Sequence, residues 1–493
     1  MFSKVLVANR GEIAVRIVRA LRELGIPSVA VFSDIDRAGL HVRLADEAEP
    51  VSSYLNIESV LAAAKKHNAE AVHPGYGFLS ENAEFAAACQ AAGIVFVGPS
   101  ADAIRRLGSK TAARILAKQV NAPVVPGSEE PATNLAHARD LAERLGYPVL
   151  LKAAAGGGGK GMRRVDRESE LEAAIRDASS EAERSFRSGE VYIEKVIEKP
   201  RHIEIQIAAD HHGNFVHLGE RECSLQRRHQ KIIEECPSPF VASQPDLRSS
   251  MGEAALRIVR AAGYSNLGTV EFLVDGQGNF YFLEVNTRLQ VEHPVTELAT
   301  GLDLVHLQLH IASGARLPFG QEDIVWRGWA MECRICAEDP EQQFFPSPGR
   351  IEQLREPSGP GIRLDSGVYA GWNVPLDYDP LLAKLVAWAP NREGTVQRLL
   401  RALDEYSIVG VENNIGFFRE ILEDDAFRAG RLDTNFIAEF FARRKAPSAL
   451  SPEMEIAAAL TAAACARNGT PSPENARQES SRWLSEGRTG LLR

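Results

Sequence analysis

Glu284-Val285-Asn286-Thr287-Arg288-Leu289-Gln290-Val291-Glu292 is the stretch around which the rest of the chain is organised. In an extended strand successive side chains alternate faces, so Glu284, Asn286, Arg288, Gln290 and Glu292 point one way and Val285, Leu289 and Val291 the other. Upstream, Val270 to Val274, a Gly-containing turn from Asp275 to Asn279, and Phe280 to Leu283 read as a β-hairpin. With Asp275 and Phe280 closing the turn, Glu271 falls opposite Glu284. Facing carboxylates repel, and a hard divalent cation such as Mg²⁺ accepts a few carboxylate oxygens together with substrate phosphates. The hairpin therefore reads as a metal site. At ~3.3 Å per residue the stretch would span about 26 Å as one strand, too long for one compact site. The chain is expected to bend, giving a metal station at Glu284 and Asn286 and a second station at Arg288, Gln290 and Glu292.

The first 100 residues alternate short apolar strands (4–8, 28–32, 71–73, 94–97) with helices (12–24, 57–66, 82–92), the pattern of βαβ units on a parallel sheet. The first strand-to-helix turn, Asn9-Arg10-Gly11-Glu12, lacks the second and third glycines of a dinucleotide fingerprint. The segment His73 to Asn82 leaves a strand end and reads equally well as a tight turn or as a ligand loop. From 114 onward come helices, a strand at Val149 to Lys152, and the glycine loop Ala155-Gly156-Gly157-Gly158-Gly159-Lys160-Gly161-Met162 before another strand. Glycines in such a loop let backbone N–H groups approach phosphate. It is not a Walker A loop, because Ala154 stands at the first glycine position and a strand follows. The runs Tyr192 to Ile197 and Arg201 to Gln206 alternate like strands, and Arg227-Arg228-His229-Gln230-Lys231 is a local basic cluster. Residues 330–440 mix strands, among them 351–354, with later helices; an Ala-rich helix over Met454 to Arg467 and a polar linker over Asn468 to Ser481 are expected beyond them.

The chain has 493 residues, 44% of them hydrophobic and 25% charged, so it holds ample core for several domains. A formal net charge of -10 argues against nucleic-acid binding, which needs basic surface. No apolar run spans a bilayer and a strand begins within a few residues of Met1, so a cytoplasmic protein without membrane contact is expected. The six cysteines are scattered; Cys333 and Cys336 fall in a strand, facing opposite sides, which is no zinc half-site.

The segments Asn9 to Ala14 and His73 to Asn82, the glycine loop, Arg227 to Lys231 and Glu284 to Pro294 together resemble biotin carboxylase, the ATP-grasp component of biotin-dependent carboxylases, over about residues 1–445. The resemblance implies a multidomain α/β and α+β fold. Its parts would be a Rossmann-like N-terminal domain (1–113), an ATP-grasp domain (114–329) with a glycine-rich lid over about 130–203, and a biotin carboxylase C-terminal domain (330–445). The tail, 446–493, would dock a partner.

It also implies MgATP-dependent carboxylation of biotin by bicarbonate through carboxyphosphate. On that pattern Glu271, Glu284 and Asn286 hold Mg²⁺, with Mn²⁺ as an alternative. ATP would be held by Lys110, Lys152, Gly158, Gly159, Glu194, Lys195, Val196, Ile197, His202 and His229, besides Glu271 and Glu284. Bicarbonate would meet Lys231, Arg288, Gln290 and the Val291 backbone, with Glu292 as base, and Arg334 would stabilise the biotin enolate. The lid departs from the family pattern at Ala155 and Lys160. None of the five methionines precedes a lysine, so the biotin is expected on a carrier protein, with the carboxyltransferase on a further chain. The resemblance also implies a homodimer through the helix bearing Arg19 and Glu23. The final acceptor, an acyl-CoA such as acetyl-CoA or propionyl-CoA, or pyruvate, is not encoded here. Another ATP-grasp ligase, joining a carboxylate to an amine, and a non-catalytic scaffold are the alternatives; Arg334 and the Gln290 to Glu292 stretch favour the first reading.

Overall fold

A computed structural model describes residues 1–128, 130–132, 134–153, 162–186, 190–228, 230–444, 456–457 and 459–460. The glycine loop with Gly158, Gly159 and Lys160, His229, and most of the tail with its expected helix and linker lie outside the described residues.

The chain opens with five parallel strands, β1 (Val5–Val7), β2 (Ser28–Phe32), β3 (Glu47–Pro50), β4 (Ala71–His73) and β5 (Val95–Phe96), in the order β3-β2-β1-β4-β5. Helix α1 (Gly11–Glu23) buries Ile13, Ile17 and Leu21, the face that helical spacing dictates. Gly11 turns the chain into α1 at φ +64°. The backbone near Gly367 covers this turn so closely that a Cβ there would lie 2.5 Å from the Glu12 nitrogen. The place where a dinucleotide fold keeps its pyrophosphate is thus filled by the chain itself.

The segment after β4 is a tight turn with a second use. The Asn9 amide donates to the carbonyls of Pro74 and Tyr76, both at 2.7 Å, and Gly75 has φ +63° against it. The turn ends where Asn82 caps the helix Ala83–Ala91 by accepting from Phe85 N. Glu81, just before the cap, reaches toward the central sheet.

Two antiparallel sheets follow. The smaller has the order β7-β6-β8, from β6 (Val149–Ala153), β7 (Met162–Val165) and β8 (Val191–Lys195). The larger joins β9 (Arg201–Ala209), β10 (Phe215–Arg227), β11 (Gln230–Cys236), β12 (Asn266–Val274), β13 (Phe280–Asn286) and β14 (Trp329–Cys336) with the strands Leu381–Ala389 and Ile362–Ser366. Its order is β13-β12-β9-β10-β11-β14, then Leu381–Ala389 and Ile362–Ser366, so one sheet carries charged residues from distant parts of the chain. The chain at 123–128 links the two sheets, through Phe282 N to Pro123 O at 2.7 Å and a bridge between Gly127 and Glu194.

Of the stretch expected as a strand at 351–354 only its second half is one: residues 351–352 lie between two short strands, Gly349–Arg350 and Gln353–Arg355, which pair with different partners. Among the described residues no helix is long and apolar enough to cross a membrane, and the five described cysteines are unpaired and buried.

Candidate active site

The hairpin places Glu271 directly opposite Glu284, but by a different count from the simple one. Val274, not Asp275, pairs with Phe280, and a bulge between Glu271 and Phe272 on one strand and Phe282 and Glu284 on the other restores the facing pair. Asn286, two residues on, donates from its amide to Glu271 Oε1 at 2.9 Å. Lys110, at the start of the helix Lys110–Gln119, lies 2.8 Å from Glu284. Two carboxylates and an amide, each already drawing a cation or a donor, form a hard oxygen set that fits Mg²⁺ and leaves coordination positions for phosphate and water.

Regular pairing ends at Asn286, and the chain bends as its length requires. Thr287 N and Arg288 Nε both donate to Glu81, each at 2.9 Å, which ties the bend to the N-terminal region. The Arg288 guanidinium also donates to Gln290 Oε1 at 3.0 Å and Asn286 Oδ1 at 3.1 Å. Gln290 in turn donates to Glu271 Oε1 at 3.1 Å, so the second station folds back against the first. Glu292 then stands at the head of the helix His293–Thr300, whose second residue is Pro294.

The basic cluster between β10 and β11 divides. Arg227 stacks on Phe344 and Arg228 reaches Gln343, whereas Lys231 turns inward. Its ammonium is bonded to Glu204 at 2.6 Å and to Glu271 and Glu292 at 2.8 Å each. Burial disfavours the Lys231 ammonium, but the three carboxylates outweigh burial and hold its pKa well above the ordinary lysine value. Burial likewise opposes the charge on Glu292, yet Lys231, Arg334 and Arg221 keep its carboxyl far below the usual range. Glu271 is held low in the same way by Lys231 and His202. Arg334, on β14, donates from Nε to Glu234 at 2.7 Å and from its second nitrogen to Glu292 at 2.8 Å.

His202 sits 3.1 Å from Glu271, with its other ring nitrogen 3.0 Å from Gln226. Glu271, Glu284, Asn286, Lys110, His202, Lys231, Arg288, Gln290, Glu292 and Arg334 therefore form one connected set. Lys152 and Glu194 form an ion pair on the small sheet, with Arg114 also on Glu194. Lys195 is turned to the carbonyls of Gly146 and Tyr147, and Val196 N bonds Pro148 O at 3.2 Å, with Ile197 next along the chain. These lid-side residues form a second group, joined to the first through the 123–128 segment rather than by direct contact among the described residues.

Several site residues were not anticipated from the sequence. Arg221, fully buried on β10, is ion-paired with Glu204 and donates to Gln206 at 2.7 Å and to Thr269 and Thr296 at 3.1 Å. Lys384, with 0% exposure, donates to the Val291 carbonyl at 2.9 Å and lies 3.2 Å from Glu12. The signal was present: His202, Glu204 and Gln206 alternate with Ile203, Ile205 and Ile207, and Lys384 is the lone charge in the apolar run Leu381–Ala389.

A family model described as the biotin carboxylase N-terminal domain matches residues 1–104, the carbamoyl-phosphate synthase L chain ATP-binding domain matches 109–319, and the biotin carboxylase C-terminal domain matches 332–439. A biotin carboxylase of Nostoc is 51% identical over 444 residues, 89% of this chain and 99% of that protein. Biotin carboxylase 1 of Bacillus subtilis is 48% identical over 447 residues, 89% of this chain and 99% of that protein. Among solved structures, the biotin carboxylase domain dimer of Hydrogenobacter thermophilus 2-oxoglutarate carboxylase, in complex with MgADP, ADP and bicarbonate, superposes with a TM-score of 0.84. It is 45% identical, covering 91% of this chain and all of that one.

Proposed function

The chain belongs to the biotin carboxylase family, and on that basis we infer how its site works. It is an ATP-dependent ligase that carboxylates biotin with bicarbonate, the first half-reaction of a biotin-dependent carboxylase. The observation that carries our division of roles is the Lys231 ammonium bound at once to Glu271 and Glu292, because it joins the metal station to the base.

In this reading Glu271, Glu284 and Asn286 hold Mg²⁺, or Mn²⁺ in its place, which when bound neutralises charge on the ATP phosphates. Lys110, Lys152, Glu194, Lys195, Val196, Ile197 and His202 bind ATP, with Gly158, Gly159 and His229 completing its contacts. Arg288, Gln290, Lys231 and the Val291 backbone seat bicarbonate. Glu292, ionised at neutral pH because of its cationic neighbours, takes the bicarbonate proton as the bicarbonate oxygen attacks the γ-phosphorus and ADP departs with the bridging oxygen. Carboxyphosphate breaks down to CO₂ and phosphate, and phosphate removes the proton from the biotin ureido nitrogen. The Arg334 guanidinium favours the developing enolate over the neutral ground state, and the nitrogen captures CO₂.

The carrier and the carboxyltransferase are separate chains, and the latter selects the final acceptor. We place the homodimer contact on the face of α1 where Arg19 and Glu23 are exposed, and the protein in the cytoplasm. The proposed domains remain 1–113, 114–329 and 330–445, with 446–493 docking a partner of the complex. The test is bicarbonate-dependent ATP hydrolysis with and without free biotin. Stimulation by biotin supports the reading, turnover only with an amine supports a carboxylate-amine ligase, and no turnover supports a scaffold.

A further inference from the structure

Behind Arg334 lies a pair of acids to which the reaction as described gives no work. Glu234 on β11 and Glu332 on β14 are partners in the strand register, so their side chains share the sheet face that Arg334 and the helix His293–Thr300 also occupy. Both are fully buried. Glu234 Oε1 accepts from Arg334, but its other oxygen and both oxygens of Glu332 have no donor among the described residues. On the far side is an apolar cluster of Cys236, Val295, Ala299, Ala330 and Val386, none of which donates to the orphaned oxygens.

An unpaired buried carboxylate costs several kcal/mol, and such a group takes up a proton instead. The cations within reach are engaged elsewhere. Arg334 divides its bonds between Glu234 and Glu292, and Lys384 holds the Val291 carbonyl with Glu12 and Asp365 at 3.2 and 3.9 Å. One shared proton turns one acid into a donor for the other and so pairs two of the three orphaned oxygens on these facing carboxyl groups.

We propose that Glu332 is a positioning residue for biotin carboxylation, holding a proton shared with Glu234 so that Arg334 meets one negative charge behind it rather than two. With a single charge at Nε and Glu292 at its other edge, the guanidinium plane stays aimed at the biotin side of the site. Loss of the shared proton adds a second charge behind Arg334 and draws it back toward the strands.

The groups facing Glu332 are Glu234 on β11, Arg334 on its own strand, Lys384 on the next strand and Glu292 at the head of the helix. His293, on that helix, is held neutral by burial and by Lys384, Arg16 and Arg363. Burial, with the like charges of Glu234 and Glu292, pushes the Glu332 carboxyl well above its ordinary range against Lys384 and Arg334. Burial also pushes Glu234 up to about 7 despite Arg334.

The inference rests on the assignment of Arg334 to biotin, so the test has one arm that does not depend on it. In the full-length protein, biotin-dependent turnover is measured across pH for wild type, Glu332→Ala and Glu332→Gln. Glu332→Ala should lose up to ~100-fold in kcat, the scale of a roughly 1 Å misplacement, with KM for ATP little changed. Glu332→Gln, which keeps a neutral donor, should recover most of that loss and shift the alkaline limb to higher pH, because an amide has no such proton to lose. Independently of activity, infrared spectra should show the carbonyl stretch of a buried protonated carboxyl group in wild type that disappears in Glu332→Gln. A Gln variant as slow as Ala, an unmoved alkaline limb, or the absence of that band from wild type would each overturn the proposal.

Discussion

The Lys231 ammonium lies 2.8 Å from the Glu292 carboxylate, which is fully buried, while the lysine side chain is 11% exposed. The same ammonium holds Glu271 and Glu204, so one cation compensates three buried anions that would otherwise repel.

Removing that cation should be severe. Lys231→Met takes the shared cation from three buried carboxylates, leaving Glu204 to Arg221, Glu292 to Arg334 and Glu271 to His202, and breaking such buried pairs costs about 3–5 kcal/mol. Glu271 and Glu292 have folded pKa values below their ordinary 4.5, so the stability they contribute is present above that value and is lost as pH falls through the lower folded values. In the variant those carboxyls take up protons at higher pH, and the acid loss of stability should begin earlier. Denaturant unfolding at neutral and mildly acid pH measures both effects; a variant as stable as wild type would contradict them.

Lys384 is expected to act through the backbone. Its bond to the Val291 carbonyl fixes the loop to which we assign bicarbonate, and losing a bond to a charged donor costs about 1.5–3 kcal/mol. Lys384→Met should therefore raise KM for bicarbonate roughly 10- to 100-fold, with a smaller change in KM for ATP. Steady-state kinetics in each substrate separates the two, and an equal rise in both would contradict the assignment.

A pH effect remote from the site is expected at His67. Its two ring nitrogens lie 2.6 Å from Glu47 and 2.8 Å from Glu49, a geometry that calls for the protonated ring. Glu49 and Glu47 raise its pKa above the ordinary 6.5. The stability it contributes is full below 6.5 and is lost as pH rises through the folded value. An NMR titration of the ring should report a midpoint above 6.5, and a midpoint at or below 6.5 would refute the clamp.

What was legible in the sequence was largely local. The parallel βαβ region follows from short apolar strands and helical spacing, and the facing of Glu271 and Glu284 follows from hairpin counting. That count succeeded although its closing pair was off by one, because the bulge near Leu283 compensates. Roles for Lys231 and Arg334 came only from motif resemblance, since nothing nearby in sequence brings them to Glu292. Glu204, Arg221, Glu234 and Lys384 escaped because their contacts depend on the long-range order of strands within one sheet. A charge in an apolar strand marks a residue worth attention, but it does not say which distant strand supplies its partner.

Whether Glu292 is the base for bicarbonate is decided by bicarbonate-dependent ADP formation in Glu292→Gln, with MgATP binding measured in parallel. The expected result is a fall of about 10²- to 10⁴-fold with binding of MgATP largely kept; turnover near the wild-type rate would show that another group takes the proton.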